Sequence, residues 1–478
     1  MNTDDEENHQ PNKNASVAEA DCLVECAQSR GLFYGFVVLV AATVGKIFTS
    51  PGQSPCIGVV ITPIRESLGQ TRSDVTLLYL VATTCSAITL PWTTGRAIDR
   101  WGPRKCVVPI ALGLAVACFV ASTAQSWQQL LLAFYMLRFF GQGSLFSVSI
   151  TEINYWWVKR RGVMMGFAGA CVSLGMLALV PAFMDRSVAS VGWRQTYAIM
   201  GTMCAVFMAP WGLVWYRDRP ESYGLLPDGE DKDKAEEALG SEGNALQTTE
   251  EWTASEALRT PAFWVFAAAR LSSSLTGTAF WFHLKEVLGE AGLSTNLQTS
   301  MYPFLAVSAV VGRFVSGYVA DRFEARWIVL AALLMSSASL ILVPWMGYNS
   351  ASHPGGGGIF LVFLVGVLNT VSAAFSATAG SVVYANNFGR KHLGTIQTIA
   401  SSFGVLGSAL GPFPWGVVRD MTGSFTLAFR LGAALPLLCA FGIFLKGRRP
   451  VRGALSGAAG SPKYAMVDAE EKWDEREQ

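Results

Sequence analysis

Long apolar segments recur along the chain, separated by short polar ones. Twelve of them fall at about 32–58, 75–95, 105–124, 128–151, 162–184, 196–216, 262–285, 297–319, 326–347, 358–384, 394–415 and 427–446. A helix needs about 20 apolar residues to cross the hydrocarbon core of a bilayer, which is roughly 30 Å thick. The pattern therefore predicts an all-α membrane protein with twelve transmembrane helices in two groups of six.

Polar stretches divide the chain into five parts. Residues 1–30 and 447–478 are predicted to be disordered cytoplasmic tails, because they are rich in charged and polar residues. Residues 31–216 are predicted to form an N-terminal six-helix bundle, and residues 261–446 a C-terminal six-helix bundle. Residues 217–260 are predicted to be a cytoplasmic linker between the two bundles.

Composition agrees with a membrane protein. The chain is 51% hydrophobic and 15% charged, whereas soluble domains carry about 25% charged residues. The net charge of +1 gives no sign of a nucleic-acid partner. The nine cysteines include no Cys-x-x-Cys pair, so neither a metal site nor a cofactor is expected. The sequence shows no catalytic triad or paired carboxylates, so an enzyme is not expected either.

A short basic turn, Gly95-Arg96-Ala97-Ile98-Asp99-Arg100-Trp101-Gly102-Pro103-Arg104-Lys105, lies between two apolar runs. Its glycines and proline predict a break between helices, and Asp99 is expected to pair with Arg100 near a helix end. A weaker copy runs from Gly317 to Arg326, which indicates two parallel repeats. The residues expected to control conformation are Gly95, Asp99, Arg100, Gly102, Arg104, Gly317, Asp321 and Arg322.

The spacing Gly-x-x-x-Asp-Arg-x-Gly-x-(Arg/Lys)-(Arg/Lys) resembles the loop signature of the major facilitator superfamily. The segment 219–229 is similar to the sequence after helix six in oxalate/formate-antiporter-like transporters. The resemblance implies two six-helix bundles that rock around a midplane cavity, lined mainly by helices one, four, seven, eight and ten. The paired loops would then latch one of two opposite-facing conformations.

Orientation follows from the short loops. Those after helices two, four, eight and ten carry more Lys and Arg than the loops on the other side. The positive-inside rule therefore places both termini in the cytoplasm. We expect a multi-pass membrane protein, with the plasma membrane as the default location.

Glycine and proline mark special points within the helices. Pro51, Gly52 and Pro55 predict a break in the first helix, where irregular backbone is tolerated if it lines a cavity. Small residues also recur at helical spacing in helices five and eleven: Gly162, Gly166, Gly169, Gly175, Gly404, Gly407 and Gly411. Both sets are predicted to allow close helix packing at the seam between the bundles.

Four cations interrupt the apolar segments: Lys46, Arg138, Arg270 and Arg313. Each costs about 2.5–3.5 kcal/mol at the centre of a membrane helix unless a partner or a water-filled cavity compensates. Carboxylates that could neutralise these cations are nearly absent from the segments. An anionic substrate that arrives from outside explains this imbalance.

The family resemblance refines the roles of these cations. Arg313 matches the position of a substrate-binding arginine in monocarboxylate and oxalate transporters. Arg138 resembles an arginine–glycine motif of helix four, where structural, proton-relay and substrate roles remain open. The helix-eleven lysine of the oxalate transporter has no counterpart here, which favours a monocarboxylate over a dicarboxylate. The candidate substrate-binding residues are Arg313, Lys46, Arg270, Arg138, Asn369 and Tyr135.

Three other residues are candidates for proton coupling or gating. His283 and Glu286 lie at the outer end of helix seven, and Glu152 lies near the inner end of helix four. An ordinary interfacial charge cluster is the alternative for His283 and Glu286. Asn369 and Tyr135 could likewise bond between helices rather than orient a substrate.

The sequence predicts secondary active transport of a small organic anion, driven by proton symport or by anion exchange. The expected partners are the substrate, H⁺ and the lipid bilayer, while the need for an accessory protein stays open. One alternative is a transporter of a neutral or cationic solute such as a sugar, drug or nucleoside. The other is a membrane sensor that binds a metabolite without moving it.

Overall fold

The computed structural model describes residues 21–230, 250–290, 292–352 and 357–451, and within these ranges the chain forms helices without strands. We number the membrane-crossing segments spans 1 to 12. The N-terminal bundle has span 1 (Gly35–Phe48, Ser50–Gly52, Ser54–Leu68), span 2 (Arg72–Leu90, Pro91–Gly95), span 3 (Arg96–Ser122), span 4 (Trp127–Met136, Leu137–Leu145, Phe146–Trp156), span 5 (Arg161–Leu174, Gly175–Leu179, Val180–Val191) and span 6 (Trp193–Met203, Cys204–Met208, Ala209–Trp215). The C-terminal bundle has span 7 (Pro261–Glu290), span 8 (Thr295–Ala320), span 9 (Ala325–Ser352), span 10 (Gly357–Phe388), span 11 (Leu393–Leu410, Pro412–Thr422) and span 12 (Thr426–Lys446).

The described residues contain nine helical segments that are long and apolar enough to cross a membrane. One of them, Leu77–Ser122 with 46 residues, contains most of span 2 and all of span 3. Spans 5 and 7 are not among the nine segments, and span 7 carries Arg270 and a run of serines and threonines from 272 to 278. The nine segments cover ten spans, and spans 5 and 7 complete the predicted twelve-helix architecture, which is thus confirmed.

The predicted break in span 1 is confirmed. Its first helix ends at Phe48, a short 3₁₀ turn covers Ser50–Gly52, and a second helix begins at Ser54. A side chain at Gly52 would lie 2.0 Å from the carbonyl oxygen of Leu137 in span 4. Glycine therefore lets the broken backbone of span 1 rest directly against span 4.

The turn after span 2 differs from its prediction. The helix continues through Gly95 as far as Trp101, and the chain turns only at Gly102, whose φ is +81°. That φ lies in the region that favours glycine. Gly95 has a different structural role. A side chain there would lie 2.9 Å from the Cα of Thr395 in span 11. Gly95 thus allows the two bundles to touch.

Part of the predicted N-terminal tail is ordered, so that prediction is wrong for residues 21–30. Helix α1 (Cys22–Ser29) buries Val24 and Ala27, and the Asp21 carboxylate caps its first turn. The guanidinium of Arg217 lies 2.8 Å from the Asp21 carboxylate. Burial raises the pKa of Asp21, but the hydrogen bond and charge of Arg217 outweigh it and lower that pKa overall. Residues 1–20 and 452–478 lie outside the described ranges.

Two pairs of spans form the most extensive contacts between the bundles: span 5 packs against span 8, and span 2 against span 11. A side chain at Gly166 would lie 2.6 Å from the Arg313 carbonyl oxygen and 2.9 Å from the Cα of Gly317. The prediction of a glycine seam between the bundles is therefore confirmed for Gly162, Gly166 and Gly169 of span 5, but not for Gly175, which faces Ile47 of its own bundle. The prediction of a seam is wrong for span 11. A side chain at Gly407 would lie 2.4 Å from the carbonyl oxygen of Leu271 in span 7, which belongs to the same bundle.

Candidate functional site

The two repeated loops make matching contacts that close one face of the molecule, which we call the latch face. The Asp99 carboxylate accepts hydrogen bonds from the backbone N–H groups of Gly394 (2.7 Å) and Thr395 (2.8 Å), where span 11 begins. A carboxylate at a helix N-terminus is stabilised by the unpaired N–H groups and the helix dipole. Asp99 thus joins the N-terminal bundle to the C-terminal one, and the predicted pairing with Arg100 is wrong.

The repeated loop makes the reciprocal contact. The Asp321 carboxylate accepts hydrogen bonds from the backbone N–H groups of Gly162 and Val163, the latter at 2.8 Å, where span 5 begins. Burial raises the pKa of the Asp321 carboxyl, although these two hydrogen bonds lower it.

The cations of the two loops do not bridge the bundles within the described ranges. Arg100 lies over the ring of Trp101 and Arg322 over the ring of Tyr318, both within their own loops. Arg104 lies 3.4 Å from Asp21 in the N-terminal part of the chain. The described contacts of the loops with the opposite bundle come instead from the two carboxylates, the glycines Gly95 and Gly317, and the side chains of Ile98 and Ala320.

Further contacts that the sequence did not reveal also close the latch face. The Asn154 side-chain amide donates to the Ser381 carbonyl (2.9 Å), and the Arg390 guanidinium donates to the Tyr155 carbonyl (2.6 Å). Arg161, at the start of span 5, donates to the Asn386 side chain (2.5 Å). Each of these bonds crosses between the bundles, so the structure describes a state that is closed on the latch face.

Removing the latch charges should open this face. We expect Asp99→Asn and Asp321→Asn each to weaken the closed state by about 0.3–1 kcal/mol, because each removes a charge from a helix N-terminus. The measurement is maleimide labelling of a single cysteine introduced at Ser381, which should become faster in both variants. Asp74→Asn, in a capping box that joins only neighbouring residues, is the matched control, and equal labelling in all variants would contradict the role of the latch.

Three of the predicted cations meet in one cavity of about 260 Å³ between the bundles. Lys46 comes from span 1, Arg270 from span 7 and Arg313 from span 8. Their side chains make no hydrogen bond or ion pair with any described residue, and no carboxylate is among the residues that line the cavity. The Lys46 ammonium lies 5.4 Å from the centre of the Phe146 ring. The cavity therefore holds excess positive charge.

Neutral polar groups complete the wall of the cavity. Gln142 of span 4 lines it, and its side-chain oxygen is buried without a hydrogen-bond partner in the described chain. The sequence did not predict the polar residues of this wall as site residues. Gln142 was nevertheless visible as a polar residue in an apolar span, one helical turn after Arg138. The missed lining residues with hydrogen-bonding side chains are Gln53, Gln142, Ser274, Thr378, Ser381 and Ser401.

Two glycines make room for the arginines. A side chain at Gly169 would lie 2.9 Å from the Cδ atom of Arg313, and one at Gly404 would lie 2.8 Å from the Nε atom of Arg270. Both glycines also line the cavity. The sequence predicted only helix packing for them, whereas the structure shows that they also leave space for the two guanidinium groups.

Arg138 lies outside this cavity and has its own partners. Its buried guanidinium donates to the Gly52 carbonyl (2.9 Å) at the break in span 1 and to the Ser408 hydroxyl (2.8 Å) in span 11. The guanidinium also lies over the Tyr79 ring, 5.1 Å from its centre. Arg138 therefore links the two bundles, which is a structural role that the sequence left open.

Asn369 and Tyr135 also lie away from the lining of the cavity. Asn369 is buried in span 10, and its side-chain oxygen has no hydrogen-bond partner in the described chain. The Tyr135 hydroxyl is 3.1 Å from the Thr89 hydroxyl of span 2. Neither residue contacts the three cations, so the structure gives no substrate role to either.

The candidate proton residues occupy opposite ends of the molecule. Glu152 is buried near the latch face, where its carboxylate accepts from the backbone N–H of Arg217 at 2.9 Å. His283 and Glu286 lie near the opposite face, which we call the far face, and line a pocket of about 370 Å³ between the bundles. Ser408, which bonds Arg138, lines this far pocket as well. Gly52, the other partner of Arg138, precedes Gln53, which lines the central cavity, so the Arg138 contacts lie between the far pocket and that cavity.

Comparison with known proteins agrees with the fold. Residues 35–317 and 263–473 match the family described as Major Facilitator Superfamily, so the chain belongs to that superfamily and is a multi-pass membrane transporter by family. It is 24% identical to the MFS-type transporter opdF of Penicillium oxalicum (77% of each chain) and 26% identical to monocarboxylate transporter 13 of Bos taurus (72% of this chain, 74% of the relative). The solved structure of the proton:xylose symporter XylE has a TM-score of 0.67 at 13% identity, covering 87% of this chain and 96% of that one.

Proposed function

We propose that this chain moves a small organic anion across a membrane by alternating access. The observation that supports the proposal is the central cavity, where Lys46, Arg270 and Arg313 have no hydrogen-bond or ion-pair partner among the described residues and no carboxylate is among the lining residues. Unpaired cations are costly inside a membrane, which favours a ligand that neutralises them. An anionic substrate fits this charge better than a sugar or a cation does.

The size of the cavity favours a small substrate. Its volume of about 260 Å³ is below the roughly 300–1,000 Å³ of sites for drug-sized ligands. An arginine fork can hold a planar carboxylate through two parallel hydrogen bonds, and Lys46 adds a point charge. A monocarboxylate suits this set of groups, and the relative named a monocarboxylate transporter supports the same class.

The origin of the three cations suggests how binding is coupled to closure. Lys46 belongs to the N-terminal bundle, whereas Arg270 and Arg313 belong to the C-terminal bundle. Without a ligand these like charges repel each other across the cavity. An anion between them attracts both bundles at once and so favours an occluded state, because electrostatic interactions are strong where water is excluded. The hydrogen bonds of the latch carboxylates Asp99 and Asp321 then break, and the latch face opens. We place this face in the cytoplasm because its loops are basic.

Transport of labelled acids tests the proposal. We expect cells that express the protein to take up at least one of radiolabelled lactate, pyruvate, formate and oxalate faster than cells without it. Uptake at about pH 5.5 and about pH 7.5 separates proton symport from anion exchange, since only the former requires a proton gradient. If a protein that reaches the cell surface transports none of the four acids, the proposal is contradicted and the solute is larger or neutral.

A further inference from the structure

We propose that a pocket on the latch face binds the phosphate monoester of a membrane lipid headgroup. The pocket has a volume of about 180 Å³ and lies within the C-terminal bundle, between the start of span 9, the end of span 10 and the chain that follows span 12. It shares no lining residue with the central cavity or the far pocket. The proposal is therefore independent of the substrate that the central cavity takes.

Two arginines give the pocket an excess of positive charge. Arg326 lies at the start of span 9, and Arg449 follows the end of span 12. Glu324 is the one carboxylate among the described lining residues, and it lies 2.6 Å from the Nε atom of Arg326. A guanidinium carries five N–H donors, so this single carboxylate leaves others for a ligand.

Two asparagines at the end of span 10 add neutral donors to the pocket. Asn387 is only 8% exposed, and its side chain makes no hydrogen bond with a described residue. The side-chain oxygen of Asn386 accepts from Arg161 at 2.5 Å, which leaves its nitrogen as a donor. Amide and guanidinium N–H groups together suit a ligand with several acceptor oxygens, such as phosphate.

The surroundings of the pocket favour a lipid over a soluble phosphate ester. Trp327 follows Arg326 in span 9 and is 44% exposed, and the Arg326 guanidinium lies 4.7 Å from the centre of its ring. Phe444 and Leu445, in the last turn of span 12, are exposed as well. Apolar side chains on the outside of a membrane span face lipid, and tryptophan is enriched at the membrane interface. The pocket thus lies where the lipid-facing surface meets the polar latch face.

Basic residues continue along the chain after span 12. Lys446 and Arg448 are exposed next to Arg449. Basic pockets between membrane helices on the cytoplasmic side bind phosphorylated headgroups, and we place the latch face on that side. A phosphate monoester has a charge of about −1.5 to −2 at pH 7 and three strong acceptor oxygens. It therefore matches the charge and the donors of the pocket better than the phosphate diester of an ordinary phospholipid does.

Native mass spectrometry of the full-length protein in detergent tests the site. We expect dioctanoyl phosphatidylinositol 4-phosphate to bind more tightly than dioctanoyl phosphatidylinositol, which lacks the monoester. Arg326→Gln and Asn387→Asp should each weaken binding of the phosphorylated lipid at least about tenfold, because each removes a hydrogen bond to a charged group. Lys159→Gln, which removes a cation of the latch face outside the pocket, should bind as the wild type does. Equal binding of the two lipids, or equal binding by the wild type and both pocket variants, would overturn the site.

A soluble competitor distinguishes a lipid from a free phosphate ester. Inositol 1,4-bisphosphate carries the two phosphates of the phosphorylated lipid without its acyl chains, and we expect it to bind at least about tenfold more weakly. Equal affinity would overturn the assignment of a lipid. Without lipid, both pocket variants should unfold at the wild-type temperature, because Asn387 has no described partner and Arg326 pairs only with the half-exposed Glu324 among the described residues.

Discussion

Arg313→Gln should abolish anion uptake while the protein still folds and reaches the membrane. The guanidinium of Arg313 lines the central cavity and has no described partner to lose. Glutamine keeps a polar side chain but removes the charge and the fork that holds a carboxylate. Loss of one partner of a buried charge pair costs about 2–5 kcal/mol, which corresponds to roughly 30-fold to several thousand-fold weaker binding.

Uptake of the labelled acids, normalised to protein at the cell surface, measures this loss. Arg65→Gln is the matched control, because Arg65 lies outside the cavity and is paired with the neighbouring Glu66. Arg313→Lys should restore part of the activity, since it returns the charge without the fork. The Arg313→Gln protein should be at least as stable as the wild type without substrate, because an unpaired charge in the membrane has been removed. Undiminished uptake would exclude Arg313 from the site.

Gly166→Ala should shift the protein toward a state that is open on the latch face. The added methyl group would lie 2.6 Å from the Arg313 carbonyl oxygen and 2.9 Å from the Cα of Gly317, both in span 8. Neither atom belongs to a flexible side chain, so spans 5 and 8 must move apart. Overpacking of this kind costs about 1–3 kcal/mol, and the closed state should become roughly 5- to 150-fold less favoured.

Labelling of the cysteine introduced at Ser381 reports this shift, in a background without the exposed native cysteines. The backbone carbonyl of Ser381 accepts the bond from Asn154 across the latch face, so its region becomes accessible when the face opens. Gly277→Ala is the control, because a side chain at Gly277 would meet no atom within 4 Å. Equal labelling of the Gly166 and Gly277 variants would show that the seam does not determine which face is open.

The sequence was sufficient to predict the spans, the two loops and the excess of buried cations. These features depend on local properties: the length of an apolar segment, the spacing of glycine and charge, and the cost of a cation in hydrocarbon. Lys46, Arg270 and Arg313 were each visible for that reason. Their assembly into one cavity could not be read from the chain, because it depends on how three helices from two bundles face each other.

The other differences between the sequence predictions and the structure also arise from contacts between distant parts of the chain. Arg138 resembles the three cavity cations in sequence, but its charge is satisfied by the Gly52 carbonyl and by Ser408, which is 270 residues away. Asp99 was expected to pair with its neighbour Arg100, whereas it caps a helix of the opposite bundle. Local sequence shows that a polar group needs a partner, but only the fold decides which distant group provides it.

Thermal unfolding of the purified protein with carboxylates and their neutral amides tests most directly whether the cavity binds an anion. A ligand that binds only the folded state raises the unfolding temperature. We predict that lactate or pyruvate raises it, that lactamide and pyruvamide do not, and that the Lys46→Gln/Arg270→Gln/Arg313→Gln variant responds to neither. An amide that stabilises the protein as well as its acid does, or a triple variant that responds like the wild type, would contradict an anion site built from these three cations.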